Sequence, residues 1–143
     1  MVCSRCGQPG VFSHRHKVCN ACRTDQNRVR NSQSVDHYLT HILSQVKNRA
    51  KRRGIVCTLT HAQLKGLWSK QKGLCALSGV SMTHEIGHKK VGDFNASIDR
   101  VDAGGPYHIS NVQLTCSRVN FMRGALDVPT FRWWIKTIQS KES

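Results

Sequence analysis

Four cysteines near the start of the chain set the tightest limit on how it can fold. They form two pairs, Cys3-x2-Cys6 and Cys19-x2-Cys22. Two such pairs bring four thiolates within reach of one tetrahedral Zn2+, whose shell they fill with sulfur, so the site is structural rather than catalytic. The segment around them holds too few apolar side chains to build a core, and metal binding supplies its folding energy. His14 and His16 lie between the pairs and read as loop residues rather than ligands. A redox role is the competing explanation for one such pair, but two this close favour zinc.

Charge narrows the partner. Twenty-two Lys and Arg stand against eight Asp and Glu in 143 residues, giving a net charge of +14 and a pI near 10.1. A surplus this large points to a polyanion, and nucleic acid comes first because each neutralised phosphate releases counterions. A membrane surface is the rival, yet no long apolar run, signal peptide or lipidation motif is present. Seven cysteines would suggest disulfides in a secreted chain. The odd number and the CxxC spacing argue instead for metal in a reducing, intracellular compartment. The length suits one domain, or a small one with an appendage.

Residues 23–34 are polar and basic and read as a connector. Beyond them Tyr38, Leu39, Ile42, Leu43, Val46 and Ala50 recur at helical spacing, with Ser34 or Asp36 placed to cap the start and Gly54 to end it. The last turns carry Lys47, Arg49, Lys51, Arg52 and Arg53. Five cations in seven residues exceed what offsetting the helix dipole requires, so they are candidate phosphate contacts that specify no base sequence. Residues 55–59 read as a short extended piece. Thr60 caps a second helix that holds Leu64, Leu67 and Trp68 and ends near Gly73. Further on, Asp127 caps a last helix that tolerates Pro129 in its first turn. Phe131, Trp134, Ile135 and Ile138 line one face of it and are expected to close the core, with Trp133 to one side and partly exposed.

The stretch 97–124, SIDRVDAGGPYHISNVQLTCSRVNFMRG, carries the chemistry. It opens on an alternation in which Ser97, Asp99 and Val101 share one face of a strand and Ile98, Arg100 and Asp102 the other. Gly104, Gly105 and Pro106 break it into a loop. Residues 111–116 form a second short strand, or a strand running into a helix, and Asn120, Phe121, Met122 and Arg123 suit a helix's first turns. An Asp and two Asn side chains at the joints offer hard oxygen donors. These suit Mg2+, which keeps several waters and takes only one or two protein carboxylates. Asp99, Asn111 and Asn120 acting only as turn and helix caps is the plainer explanation, but it leaves the flanking pattern unexplained.

From Gly73 onward the chain resembles the HNH (ββα-metal) nuclease family, of the type found in phages and mobile elements. Asp99 matches the motif's Asp, Gly104 and Gly105 its glycines, Asn111 its middle Asn, Asn120 its last Asn and Arg123 its trailing basic residue. This is a multi-point match rather than one dipeptide. Together with the cysteine pairs, the resemblance implies an α+β protein in three parts: a zinc-binding module over 1–30, a basic helical region over 31–72, and a ββα-metal nuclease core with a C-terminal helix over 73–143. It implies metal-dependent hydrolysis of phosphodiester bonds in DNA, double-stranded in the first instance. The enzyme would be of homing or restriction type, a monomer or homodimer in the cytoplasm of a bacterial or phage host. Asp99 and Asn120 would hold one Mg2+ or similar divalent ion, and Asn111 would fix the loop or orient the base. Arg123 would join the cations of residues 47–53 as a nucleic-acid contact.

One residue departs from the motif. Arg100 stands where the family's general-base His is usual. Guanidinium stays protonated and accepts no proton, but it can pin a phosphate oxygen and stabilise transition-state charge. An Asp-Arg version of the motif occurs in a restriction enzyme of the family that also has an N-terminal module of CxxC pairs. There a Tyr from the preceding helix replaces the His. The matching place here holds Trp68, whose indole accepts no proton. His61, His84, His88 and His108 remain as candidate bases, with an ordinary pKa suited to the task. Family members often hold a further zinc through two CxxC pairs flanking the motif. Here those positions are Cys75-x2-Ser78 and Cys116-x2-Val119, so one zinc is expected and Cys75 and Cys116 behave as small buried hydrophobes. Two other functions stay open. One is a non-catalytic, zinc-containing nucleic-acid-binding protein that kept the scaffold and lost the base. The other is a zinc-dependent scaffold or inhibitor that holds protein or RNA partners on its basic face.

Overall fold

A hairpin and a helix form over 97–124, and the other elements are arranged around them. The computed structural model describes residues 2–12, 17–32, 34–86 and 92–142. Within them the order is α1 (Asn20–Ser32), α2 (Val35–Arg53), α3 (His61–Lys70), β1 (Ala96–Arg100), a 3-10 turn (Ile109–Asn111), β2 (Val112–Cys116), α4 (Ser117–Arg123) and α5 (Val128–Glu142). His14, His16 and His88 lie outside the described residues. No described helix is long and apolar enough to cross a membrane.

β1 and β2 pair antiparallel, with Asp99 opposite Gln113 and Ile98 opposite Leu114. The period of two sorts their side chains onto two faces. Ala96, Ile98, Val112, Leu114 and Cys116 join a core with Leu39, Ile42, Leu43 and Val46 of α2 and Leu64 of α3. Leu39, Leu64 and Leu114 are fully buried, and burial of a leucine to that degree stabilises a fold by ~2 kcal/mol. The other face, carrying Ser97, Asp99 and Gln113, receives α4. Asn120 donates to Ser97 Oγ at 3.0 Å and Arg123 to Asp99 Oδ1 at 2.6 Å. Since α4 begins at the residue after β2, the chain passes straight from strand to helix. The result is a ββα unit backed by α2 and α3.

Local signals fix the backing helices. Ser34 Oγ accepts from His37 N at 3.2 Å, and Gly54, at φ 65°, closes α2 in the left-handed conformation that a side chain would strain. Thr60 and Gln63 form a reciprocal capping box at the start of α3. Tyr38 Oη donates to Ala96 O at 2.7 Å and so ties α2 to β1. Gln71, just past α3, bonds both the N–H and the C=O of Leu114.

Two sequence expectations are corrected. Residues 23–34, read as a connector, are mostly helical, because α1 runs to Ser32 with the second cysteine pair at its N-terminal end. Its few apolar residues make no stripe, so periodicity does not reveal it. α5 forms, and Asp127 Oδ1 accepts from Thr130 N at 2.7 Å as its cap. Of the face expected to close the core, however, only Phe131 is buried. Trp134, Ile135 and Ile138 are exposed, as is Trp133, and the two indoles pack edge to face at 4.8 Å. The helix does not close over the core.

Candidate active site and metal centre

At the N-terminal end the chain turns back after Cys3. Gly7 N donates to Cys3 O at 2.9 Å, with Gly7 at φ 69°. The second cysteine pair flanks the first turn of α1, where Arg23 N donates to Cys19 O at 3.0 Å. These two turns bring the Sγ atoms of Cys3, Cys6, Cys19 and Cys22 within 4.8 Å of one another. A tetrahedral ion bonded to sulfur at about 2.3 Å needs sulfurs about 3.8 Å apart; those of Cys6 and Cys19 stand at 3.9 Å. The amides of Cys19 and Arg5 point at Cys3 Sγ, at 3.2 and 3.4 Å. Hydrogen bonds from the backbone of Cys19 and Cys6 draw the Cys3 thiol down to about 6. Cys22 goes the other way: its bond with the Cys6 sulfur, above all, pushes it up to about 12. Four thiols crowded together cannot all ionise until a cation sits among them, so the donor set fits a thiophilic metal ion.

Cys75 and Cys116 form no such cluster. They are buried side by side, with Cys116 N donating to Cys75 Sγ at 3.2 Å, and burial pushes the Cys116 thiol up to about 11. Val119 packs against the core beside them. Among the described residues the four N-terminal cysteines are the one group of metal-ligating side chains so gathered.

The motif residues occupy the joint between the hairpin and α4. Asp99 is buried there, its Oδ1 accepting from Arg123 Nη2 and its Oδ2 from Gln113 Nε2 at 2.9 Å. Arg123 also donates to the carbonyls of Arg100, Val101 and Leu126. At 2% exposure it does not reach solvent, which corrects its expected role as a nucleic-acid contact. It clamps the carboxylate, the end of β1 and the chain after α4 together. Asn120 lies one turn earlier on the same face of α4. Its Nδ2 is committed to Ser97 Oγ, which leaves Oδ1 to meet a cation. One carboxylate and one amide oxygen are a donor set suited to a hard divalent ion that keeps its waters. Such an ion would share Asp99 with the Arg123 guanidinium.

Asn111 is bonded into the loop that follows β1. Its Oδ1 accepts from Asp102 N at 2.9 Å, and its Nδ2 donates to Asp102 O at 3.1 Å and Pro106 O at 2.9 Å. Both amide protons are used, while Oδ1 takes one bond of the two it can accept. A Cβ on Gly105 would meet Asn111 Nδ2 at 2.7 Å, which accounts for the second glycine of the loop. Arg100, next to Asp99 in sequence, points to the opposite face of β1. It donates to Gly105 O at 2.8 Å and lies 4.7 Å from the centroid of the Tyr107 ring. The structure therefore brings Asp99 and Asn120 to one joint, and leaves Arg100 outside it.

Beside this joint α2, the start of β1 and α4 enclose a cleft of about 770 Å3. His41, Gln45 and Arg49 line it from α2, Ser97 from β1, and Arg118 and Asn120 from α4. Arg118 donates twice to Asp93 Oδ1, at 3.1 and 2.9 Å. Lys47, Arg49, Lys51, Arg52 and Arg53 are all exposed along the end of α2. The described candidate bases lie elsewhere. His61 Nε2 is 3.1 Å from Asp36 O, His108 Nδ1 accepts from Ser110 N at the 3-10 turn, and His84 packs between Tyr38 and Trp68. Sequence reasoning missed Gln113, which follows only from hairpin register. It also missed His41 and Arg118, although His41 shares the helical spacing of Tyr38, Gln45 and Arg49.

Fold and site define a class: an α+β protein in which a four-cysteine cluster able to hold a metal precedes a ββα unit. No protein-family profile matches the chain, and no curated protein does. Among solved structures it is similar to the rare-cutting HNH restriction endonuclease PacI, with a TM-score of 0.50 and 18% identity over 98% of this chain and 94% of that one. PacI is the restriction enzyme whose Asp-Arg motif the sequence resembles. At this identity the likeness establishes the fold, and it extends over nearly the whole chain.

Proposed function

We propose that the chain is a metal-dependent DNA endonuclease of the HNH type that hydrolyses phosphodiester bonds in double-stranded DNA within the cell. The observation that supports this reading is the packing of α4 on β1, which bonds Asn120 to Ser97 and Arg123 to Asp99 beside a cleft walled by Arg49 and Arg118. Mg2+ bound by those two side chains would act as a Lewis acid on the scissile phosphate. The chain's own residues have separable tasks. Arg123 and Gln113 hold the Asp99 carboxylate in one orientation, and Asn111 keeps the loop after β1 closed. The exposed cations of α2 bind phosphates, an attraction spread over many contacts and indifferent to sequence. Zn2+ in the Cys3, Cys6, Cys19 and Cys22 cage holds the N-terminal module.

A second reading, a nucleic-acid-binding protein without catalysis, draws on the pairing of Asp99 with Arg123 and on Arg100 in the place of a base. Plasmid nicking separates the two. Wild type should relax supercoiled DNA with Mg2+ and fail in EDTA, whereas Asp99→Ala should bind the DNA and leave it intact. Wild type that binds plasmid yet never nicks it, with Mg2+, Mn2+ or Ca2+, would establish the second reading. Asp99→Ala that cuts at the wild-type rate would sink the HNH assignment.

A further inference from the structure

A nuclease built this way needs a proton acceptor for its attacking water, and none has yet been placed. Arg100 stays protonated and faces Tyr107 rather than the joint. His61, His84 and His108 are not among the residues that line the cleft with Asn120. Among the described residues one imidazole does share a cavity with the joint. His41 stands on the face of α2 that forms the cleft wall, and Asn120 and Ser97 line the same cleft.

We propose that His41 is the general base of the reaction, taking a proton from the water that attacks phosphorus in the cleft beside Asn120. The inference rests on the nuclease reading above. As the water oxygen bonds to phosphorus, its proton passes to the unprotonated ring nitrogen of His41. The bond from phosphorus to the leaving sugar oxygen breaks, that oxygen takes a proton from solvent water, and His41 later returns its own proton to solvent.

The surroundings suit the role. Burial lowers the His41 pKa from its ordinary 6.5, so the ring is in its accepting form at neutral pH. Among the described residues the charged groups facing the cleft are Arg49 of α2, Arg118 of α4, and Glu85 and Asp93 from the chain before β1. The two arginines oppose an imidazolium, and Asp93 is already engaged by Arg118. Arg49 at the cleft wall and the cations beyond it give a phosphate backbone reason to lie across His41.

The test uses the full-length protein, His41→Ala and His41→Gln, a supercoiled plasmid and Mg2+. Both variants should fold, bind DNA and lose nicking rate by ~10²–10⁴-fold, the usual share of a general base. The acidic limb of the wild-type pH–rate profile should vanish in both, and added imidazole should restore part of the rate to His41→Ala. NMR titration of the histidine rings in metal-free protein should give His41 a midpoint below 6.5 that matches the limb. A residue that merely packs would change stability without moving the limb or responding to imidazole. A rate within roughly threefold of wild type in either variant, or an unchanged acidic limb, would overturn the assignment. Failure of the underlying reading looks different: wild type itself would be inert, which removes the base along with the nuclease. Active wild type, inert Asp99→Ala and active His41→Ala would remove His41 alone.

Discussion

Arg123 Nη2 lies 2.6 Å from Asp99 Oδ1, and the two side chains are 1% and 3% exposed. A buried pair of this kind is costly to break from one side, because the partner keeps a charge that water cannot reach. Arg123→Met should therefore destabilise the chain by about 3–5 kcal/mol in urea unfolding. Arg123→Lys should recover part of that, having one ammonium in place of the fork that now reaches Asp99 and three carbonyls. A loss below about 1 kcal/mol for Arg123→Met would mean that the guanidinium finds solvent. The same pairing bears on Asp99→Ala, whose unfolding curve must accompany its nicking assay.

The cysteine cage makes a stoichiometric prediction. Elemental analysis should find one zinc per chain, held by Cys3, Cys6, Cys19 and Cys22. Cys6→Ser should loosen the N-terminal module and α1 while leaving the hairpin core folded, since structural zinc supplies folding energy where apolar burial does not. Hydrogen exchange read residue by residue would separate the two regions. Two zinc ions per chain would mean that Cys75 and Cys116 recruit ligands beyond those their burial suggests, and none would remove the metal from the cage.

How far the sequence speaks depends on which force fixes each element. α2 was legible because its buried stripe, its Ser34 cap and its Gly54 terminus all point the same way. The cysteine pairs were legible because ligand chemistry fixes residue type and spacing. α1 was not, since it is anchored at the cysteine cluster and shows no apolar stripe. α5 shows the limit of an amphipathic pattern, which says which face is apolar but not whether anything covers it. Arg123 misled because a lone arginine after a motif looks like a surface cation, and only the packing of α4 on β1 reveals its burial. His41 sat at the edge of a stripe read entirely as core.

Tyr38 gives a test at high pH. Its hydroxyl donates to Ala96 O at 2.7 Å, and burial pushes its pKa from 10.0 up to about 12. An unfolded tyrosine loses its proton first, so the unfolded state holds fewer protons through this range and stability falls as pH rises. The contribution is complete below pH 10 and is lost on passing about 12. Tyr38→Phe should thus be less stable than wild type at neutral pH, by roughly 1 kcal/mol for one hydrogen bond. The difference should shrink between those two pH values. Parallel melts of the two proteins across that window decide it, and a constant difference would show that the Tyr38 hydroxyl reaches water.

Arg100 is where this chain departs from the motif it resembles, and its placement makes the outcome informative. Fixed to Gly105 O and stacked on Tyr107, its guanidinium is a preorganised cation at the end of β1. If it stabilises charge on the transferring phosphate, Arg100→Ala should lower kcat by roughly 10²–10³-fold, as loss of one preorganised donor does. DNA affinity should change much less, because one contact is lost among many. Arg100→Lys should restore only part, lacking the planar fork that both stacks and donates. Arg100→His, facing Tyr107 rather than the joint, should not reduce the penalty of His41→Ala in the double variant. Full activity in Arg100→Ala would assign the residue to holding the loop and Tyr107 alone. An inert wild type that gains cleavage as Arg100→His would instead mark a binding protein on a nuclease scaffold, with the proton acceptor as the missing part.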